Sequence, residues 1–199
     1  MNFAKQVEGI YRLKVPFEDL YTSIFLLKTD YGNMLVDCAT YDSDIDKYLV
    51  PALQNLGLCL TGVEYLVVTH SHCDHAGGKN RILEIAPNVK IIDKSIDNIF
   101  NCLTVCELKG HTIDCIGVFD ERSGTLISAD ALQGAGVGKY RCCIENKQEY
   151  LKTIEKISKN KRIKNILFSH SYEPWNSDVA IGREEVEKCL EYCKEYAIK

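Results

Sequence analysis

The chain has 199 residues, 46% of them hydrophobic and 26% charged, with a formal net charge of −4 at pH 7. This length suits one compact domain with a sizeable core, which we predict over residues 1–199. The negative charge gives no electrostatic basis for binding nucleic acid, and no apolar run approaches the roughly 20 residues of a membrane span. Residues 1–6 lead into no apolar segment typical of a signal peptide. We therefore expect a cytoplasmic protein without nucleic-acid or membrane partners.

The first half of the chain predicts strands followed by a helix. Apolar runs predict strands over residues 9–13, 23–27 and 34–37, and a turn at residues 30–33 joins the last two. Residues 42–56 carry apolar side chains at i, i+3, i+4 and i+7, which predicts an amphipathic helix. Pro51 should kink or break this helix, and Gly57 should close it. A strand over residues 65–68 then leads into a loop rich in histidine.

The second half of the chain predicts helices that alternate with strands. Residues 80–86 predict a helix that stops at Pro87, residues 89–92 predict a strand, and residues 94–101 are compatible with another short helix. Four further strands and two further helices are predicted, the strands over residues 104–108, 115–119, 125–128 and 163–168 and the helices over residues 149–159 and 183–196. Hairpins followed by alternating elements suggest two sheets with helices outside them.

Side chains of the kind that bind metals are concentrated where the predicted strands end. The loop that follows residue 68 contains His70-Ser71-His72-Cys73-Asp74-His75, with three imidazoles and one carboxylate in six positions. The other two histidines, His111 and His170, and also Asp130 follow strand-like runs. Imidazole nitrogen and carboxylate oxygen suit zinc, iron or manganese. A solvated polar turn would explain one histidine, but it explains this run poorly.

The number of candidate ligands indicates more than one ion. Ligands at strand ends converge at one edge of a sheet, where loops vary without loss of stability. Seven groups are too many for one tetrahedral zinc and suit two ions. Two ions about 3.5–4 Å apart can hold a hydroxide at neutral pH. The predicted metal ligands are His70, His72, Asp74, His75, His111, Asp130 and His170.

Ten cysteines are many for this length, and their spacing does not form two paired Cys-x-x-Cys motifs. Without a signal for export, reduced thiols are expected rather than disulfides. Cys189 and Cys193 are one helical turn apart, which places both on a buried helix face. Cys73 lies between predicted ligands and is not counted among them. Five cysteines in apolar surroundings are predicted as small core residues, namely Cys38, Cys59, Cys102, Cys106 and Cys115.

The order of these motifs resembles the metallo-β-lactamase fold superfamily. The His-x-His-x-Asp-His run is followed by Gly110-His111-Thr112, then by Asp130 and a final His170, and Asp37 matches an early strand-end aspartate that supports the ligand loop. The resemblance implies an α+β fold, an αββα sandwich of two mixed sheets flanked by helices, with the metals at one edge. It implies that one ion is bound by His70, His72 and His111 and a second by Asp74, His75 and His170, with Asp130 bridging them.

Departures from relatives in this superfamily narrow the expected function. Exported β-lactamases usually carry cysteine where Asp130 stands, and flavodiiron proteins carry glutamate where His72 stands, together with a flavin domain. Glyoxalase II has a helical C-terminal domain that binds glutathione, whereas only residues 171–199 follow the last ligand here, and Lys109 replaces the proline of its Pro-Gly-His-Thr motif. The arm that binds RNA in ribonuclease Z-like nucleases is not recognisable.

The resemblance is closest to glyoxalase II-like thioesterases and lactonases. We therefore expect a metal-dependent hydrolase in which a hydroxide bridging two divalent ions attacks a small ester, thioester or lactone. Zinc is the first choice of ion, and iron or manganese are the alternatives. A mononuclear-iron oxidoreductase similar to sulfur dioxygenases, a phosphodiesterase and a non-catalytic domain are the alternative functions. The expected partner is a small-molecule substrate, and the sequence leaves a homo-oligomer open.

Three residues are predicted to act directly on the substrate. Asp74 is assigned as both ligand and catalytic residue. Tyr172 and Tyr140 are candidates to donate a hydrogen bond to a developing oxyanion, with core packing as the equal alternative. Glycine-rich residues 134–140 predict a mobile loop beside the site, in preference to a phosphate-binding loop. Phe25 and Trp175 are assigned to the substrate cleft or, equally well, to the apolar core.

Overall fold

Two six-stranded mixed sheets organise the chain, which a computed structural model describes over residues 1–134, 143–171 and 177–198. The chain divides into two compact units, Met1–Asp93 and Lys94–Lys199. Each unit contains one of the sheets, and in both sheets every strand pairs with its neighbours in sequence. The prediction of a single domain over residues 1–199 stays a prediction. None of the helices in the described ranges has the length and apolar character needed to cross a bilayer.

The first sheet combines antiparallel and parallel pairing. Strands β1 to β4 pair antiparallel, whereas β4, β5 and β6 pair parallel. The strands are β1 Ala4–Val7, β2 Ile10–Phe17, β3 Leu20–Thr29, β4 Gly32–Val36, β5 Tyr65–Val67 and β6 Lys90–Ile92. Alternate residues of a strand point to the same face. Leu13, Leu26 and Leu35 accordingly share one core cluster with Leu53 and Ile82 of the helices.

The helix predicted over residues 42–56 forms, with an irregular middle. It consists of α1 Asp42–Asp44, a π-helical turn Ile45–Leu49 and α2 Val50–Asn55. Pro51 lies in the first turn of α2, where its missing N–H is tolerated, so the predicted break is confirmed. Gly57 ends the helix at φ 72°, as expected for a glycine cap. The remaining helical segments of this unit are the 3₁₀ turn Leu60–Gly62, α3 Cys73–Ala76 and α4 Lys79–Ile85.

The second sheet has one parallel pair, between β10 and β11, among antiparallel neighbours. Its strands are β7 Ile96–Ile99, β8 Leu103–Glu107, β9 Ile116–Asp120, β10 Thr125–Ile127, β11 Asn165–Leu167 and β12 Val179–Ile181. The other elements are the 3₁₀ turn Ala129–Ala131, α5 Lys147–Lys159 and α6 Arg183–Ile198. Phe119 and Leu126 of the strands share a core cluster with Ile154 of α5 and Leu190 of α6.

The short helix considered for residues 94–101 is wrong. Ile96 and Ile99 belong to β7 and pair with Val105 and Leu103 of β8. Residues 98, 100 and 101 have φ between 52° and 60°, which a right-handed helix excludes. A segment of this length has little helical stability of its own, so pairing with β8 and burial of Ile99 prevail. The first and last strands, β1 and β12, carry no alternating pattern and were not predicted.

None of the nine cysteines within the described residues belongs to a disulfide. Cys38 and Cys115 are buried, and so are Cys189 and Cys193 on α6, which confirms these predictions. Cys59 is exposed, so its assignment to the core is wrong. It precedes the Leu60–Gly62 turn, whose single buried residue is Leu60.

Candidate metal centre

Asp37 organises the ligand loop of the first unit. It follows β4 at φ 65°, in the left-handed region that aspartate tolerates better than most residues, and it is fully buried. Its Oδ1 accepts a hydrogen bond from the Thr69 backbone N–H at 2.8 Å. Its Oδ2 accepts from the Thr69 hydroxyl at 3.0 Å and from His75 Nδ1 at 2.7 Å. These donors satisfy the buried carboxylate, and the predicted support of the loop by Asp37 is confirmed.

These hydrogen bonds determine which ring nitrogen carries the proton in two histidines. His75 donates through Nδ1 to Asp37. Because the Thr69 hydroxyl donates its only proton to Asp37, its oxygen accepts from His70 Nδ1, which lies 3.1 Å away. In a neutral imidazole, which is the form that binds a metal, each ring then presents an unprotonated Nε2. Histidines that bind metals are commonly held in this way by a second hydrogen-bonding group.

The ligand atoms of the first unit form two pairs, each spaced as two ligands of one ion would be. His70 Nε2 lies 3.0 Å from His72 Nδ1, and His75 Nε2 lies 3.3 Å from Asp74 Oδ2. The ligand atoms of His70 and His75 lie within 4.8 Å of each other. Two ligands at about 2.0–2.1 Å from a tetrahedral zinc are about 3.3 Å apart. These spacings fit metal coordination.

Close packing of two loops brings Asp37 to its histidine. A Cβ on Gly77, just after α3, would lie 1.8 Å from the Thr40 carbonyl oxygen, so only glycine allows this approach. The Cys38 backbone N–H donates to the His75 carbonyl at 2.9 Å, and its thiol donates to the same oxygen at 3.0 Å. Burial raises the pKa of Cys38, which keeps the thiol protonated for this role.

In the second unit, the turn that carries His111 packs against the start of α5. Gly110 has φ 135°, and a Cβ there would lie 2.4 Å from the Cα of Tyr150. The Asn146 N–H donates to the Gly110 carbonyl at 3.1 Å. His111 Nδ1 donates to the Cys143 carbonyl at 2.7 Å, which leaves Nε2 available as a ligand.

Asp130 lies between the two histidines of the second unit. It belongs to the 3₁₀ turn that follows β10, and His170 follows β11. Since these two strands are parallel neighbours, their carboxyl ends meet at the same edge of the sheet. Asp130 Oδ1 lies 3.3 Å from His170 Nε2, and Asp130 Oδ2 lies 3.9 Å from His111 Nε2. Each carboxylate oxygen therefore faces a different histidine.

Burial and donor chemistry together suit divalent cations. Six of the seven predicted ligands are at most 8% exposed, and His72 is half-buried. Ionised carboxylates are buried at this depth only with cations or strong donors beside them. Nitrogen and oxygen donors in this mixture suit zinc, and also iron or manganese. The residues present therefore fit the ions that the resemblance implies.

Comparison with known proteins finds sequence similarity to one superfamily over part of the chain. Residues 18–101 match the family model described as the Metallo-beta-lactamase superfamily. A hydroxyacylglutathione hydrolase of Legionella pneumophila (strain Corby) is 26% identical over an alignment of 148 residues, and the match covers 62% of this chain and 58% of that protein. A cytoplasmic hydroxyacylglutathione hydrolase of Arabidopsis thaliana is 23% identical and covers 57% and 53% of the two chains. The chain thus spans little more than half the length of these relatives.

Solved structures extend the similarity to the whole chain. The metallo-beta-lactamase FIM-1 from Pseudomonas aeruginosa, in its mono-zinc form, matches with a TM-score of 0.75 at 16% identity and covers 100% of this chain and 96% of that one. The metallo-beta-lactamase from Pontibacter korlensis matches with a TM-score of 0.75 at 14% identity, over 97% and 98% of the two chains. The chain has the metallo-β-lactamase fold. The resemblance inferred from the ordered motifs, and the fold class predicted with it, are confirmed.

Within the metallo-β-lactamase fold, the other predicted site residues have different outcomes. Tyr140, Tyr172 and Trp175 lie outside the described residues, as does the glycine-rich stretch from residue 135 onward. Phe25 is fully buried in β3, and the Arg12 guanidinium lies 4.9 Å from the centre of its ring. The core interpretation of Phe25 is confirmed, and its assignment to the substrate cleft is wrong because its side chain has no accessible surface.

Sequence reasoning missed the groups that hold the ligands. Thr69 bonds Asp37 and His70, and the signal for it was a hydroxyl directly before the first histidine of the motif. The carbonyl of Cys143 carries no such signal, because every residue has one. Only the fold shows that it receives His111.

Proposed function

We propose that this chain is a dinuclear metallohydrolase of small esters, thioesters or lactones. The proposal rests chiefly on Asp130, whose two carboxylate oxygens face different histidines, as expected for a ligand shared by two ions. When bound, two divalent ions would lower the pKa of a coordinated water so that hydroxide is available near neutral pH. In this proposal one ion is held by His70, His72 and His111 and the other by Asp74, His75 and His170, with Asp130 between them.

The chain's own residues would prepare the ligands before any substrate arrives. Asp37 and Thr69 keep the protons of two imidazoles on Nδ1, so that their Nε2 atoms remain available. The Thr22 hydroxyl donates to the Asp74 carbonyl at 2.9 Å and so holds the backbone of this ligand. Fixing ligands by such hydrogen bonds avoids reorganisation during the reaction. Asp74 keeps its proposed double role as ligand and catalytic residue.

The substrate class follows from the groups available for proton transfer. All five histidines of the chain are assigned as ligands, so no histidine is available to protonate a poor leaving group. Thiolates and activated alcohols leave without such help. The relatives' name, hydroxyacylglutathione hydrolase, describes cleavage of a thioester. These observations support carbonyl substrates over phosphodiesters. Tyr140 and Tyr172 are the proposed donors of a hydrogen bond to the oxyanion. The proposal also includes a cytoplasmic location for the protein.

Metal analysis and a substrate panel test the proposal. Purified protein is loaded with zinc, its metal content is measured by emission spectroscopy, and turnover is compared on an acyl thioester, a lactone and bis-(p-nitrophenyl) phosphate. Two ions per chain and faster cleavage of the carbonyl substrates are expected. Faster turnover of the phosphate would indicate a phosphodiesterase. A single iron in the protein as purified, before any zinc is added, together with oxygen consumption on a persulfide, would indicate the oxidoreductase instead.

A further inference from the structure

Two buried thiols on α6 contact the segment that carries Asp130. Cys189 Sγ donates to the Gln133 carbonyl oxygen at 3.1 Å, and Cys193 Sγ donates to the same oxygen at 3.5 Å. Both cysteines are 4% exposed, and Gln133 is 8% exposed. Gln133 lies only three residues after Asp130, beyond the end of β10, where no strand pairing supports the chain. The thiols therefore supply hydrogen bonds that the sheet does not.

Cys193 also reaches the segment that carries His111. Its thiol is hydrogen bonded to the Tyr150 side chain, and Tyr150 is almost fully buried. The backbone of Tyr150 is the surface on which Gly110 packs, with a separation that excludes a Cβ. Since His111 follows Gly110 directly, the thiol pair contacts a residue of the segment that carries Asp130 and a residue packed against the segment that carries His111.

We propose that Cys189 and Cys193 are positioning residues which set the affinity for the metal ions that His111 and Asp130 bind. This inference rests on the proposed function, because it takes His111 and Asp130 as ligands. A displacement of Gln133 or Tyr150 would change the 3.9 Å separation between Asp130 and His111. Groups hydrogen bonded directly to a metal ligand typically contribute about 10–100-fold to metal affinity, and the thiols act one step further out, so a smaller effect is expected.

Substitutions of the thiol pair test this role against plain core packing. Cys189→Val and Cys193→Val remove the hydrogen bonds and keep an apolar side chain, whereas Cys193→Ser keeps a donor. Tyr150→Phe removes only the hydroxyl and keeps the ring. Leu190→Ala is the matched control, because Leu190 lies on the same buried face of α6 without a polar group. Zinc dissociation constants are measured by competition with a chromophoric chelator, and stability of the metal-free protein by urea unfolding.

The expected result separates affinity from stability. Both valine variants should raise the zinc dissociation constants by up to about 10-fold, less than loss of a group bonded directly to a ligand. Tyr150→Phe should raise them less, and Cys193→Ser should retain most of the affinity. Leu190→Ala should lower the urea midpoint and leave both constants unchanged.

Unchanged constants in both valine variants and in Tyr150→Phe would overturn the inference alone, provided that the parent protein binds two ions. The inference is equally overturned if Leu190→Ala weakens zinc binding as much as the valine variants do. A parent protein that binds no metal would overturn the proposed function and the inference with it.

Discussion

Asp37→Asn removes the charge and one hydrogen-bond acceptor of the buried carboxylate and keeps the shape of the side chain. Asparagine has the same size and tolerates the left-handed backbone at φ 65° as well as aspartate does, so the substitution adds no strain. If the amide oxygen keeps the bond from the Thr69 N–H, the amide nitrogen faces the Thr69 hydroxyl and His75 Nδ1. Both groups must then become acceptors. The proton of His75 moves to Nε2. The Thr69 hydroxyl turns its proton toward His70 Nδ1, so the ring proton of His70 also moves to Nε2.

The expected magnitude follows from these lost bonds. A hydrogen bond to a charged group contributes about 1.5–3 kcal/mol, and a buried group left unsatisfied costs about 1–3 kcal/mol. Asp37→Asn should therefore lower the free energy of unfolding of the metal-free protein by about 3–5 kcal/mol. Because the Nε2 atoms of His70 and His75 would carry protons, zinc affinity should fall by about 10–100-fold.

Urea unfolding and chelator competition measure the two effects, with Asp120→Asn as the control. Asp120 is also fully buried and accepts hydrogen bonds from Arg122 Nε at 2.9 Å and the Ser123 hydroxyl at 3.0 Å. The Asp120→Asn substitution should therefore reduce the free energy of unfolding and leave zinc affinity unchanged. If Asp37→Asn binds zinc as tightly as the parent protein, the assignment of the ring protons by Asp37 is refuted.

Three further predictions address the ligands and the turn beside them. Asp130→Asn should reduce the bound metal toward one ion or none per chain, measured by emission spectroscopy, and retention of two tightly bound ions would exclude a bridging role. Removal of metal with a chelator should lower the melting temperature in calorimetry. An ion bound only to the folded chain adds about 2.7–4.1 kcal/mol to the free energy of unfolding when its free concentration is 100–1,000 times its dissociation constant. An unchanged melting curve after verified metal removal would contradict the proposed site. Gly110→Ala should destabilise the protein by about 1–3 kcal/mol more than Gly57→Ala in urea unfolding. Both positions have positive φ, but only the Cβ at position 110 would meet backbone atoms. Equal losses of stability would show that backbone strain, and not this steric contact, determines the effect.

The order of the motifs was sufficient to predict the fold class, because the spacing of the ligand residues and their positions at strand ends can be read directly from the sequence. Periodicity predicted the helix over residues 42–56 and its break at Pro51, since both depend on local sequence. It could not predict β7, where Asn98 and Asn101 adopt left-handed conformations that only pairing with β8 stabilises. The contacts of His111 with the Cys143 carbonyl and of Gly110 with α5 join residues about 32 to 40 positions apart, beyond the reach of any local pattern.

The strictly sequential strand order has a consequence for how the protein is made. Every pairing of the first sheet joins neighbouring strands and is complete by residue 92. The longest connection between paired strands of this sheet, from β4 to β5, has 28 residues, so its pairings close at modest entropic cost. Domains generally fold from the N-terminus during synthesis. The first sheet, with Asp37 and the histidines it orients, can therefore form on the ribosome while the second half is still being translated. A protease-protection assay on stalled nascent chains of increasing length would follow this directly.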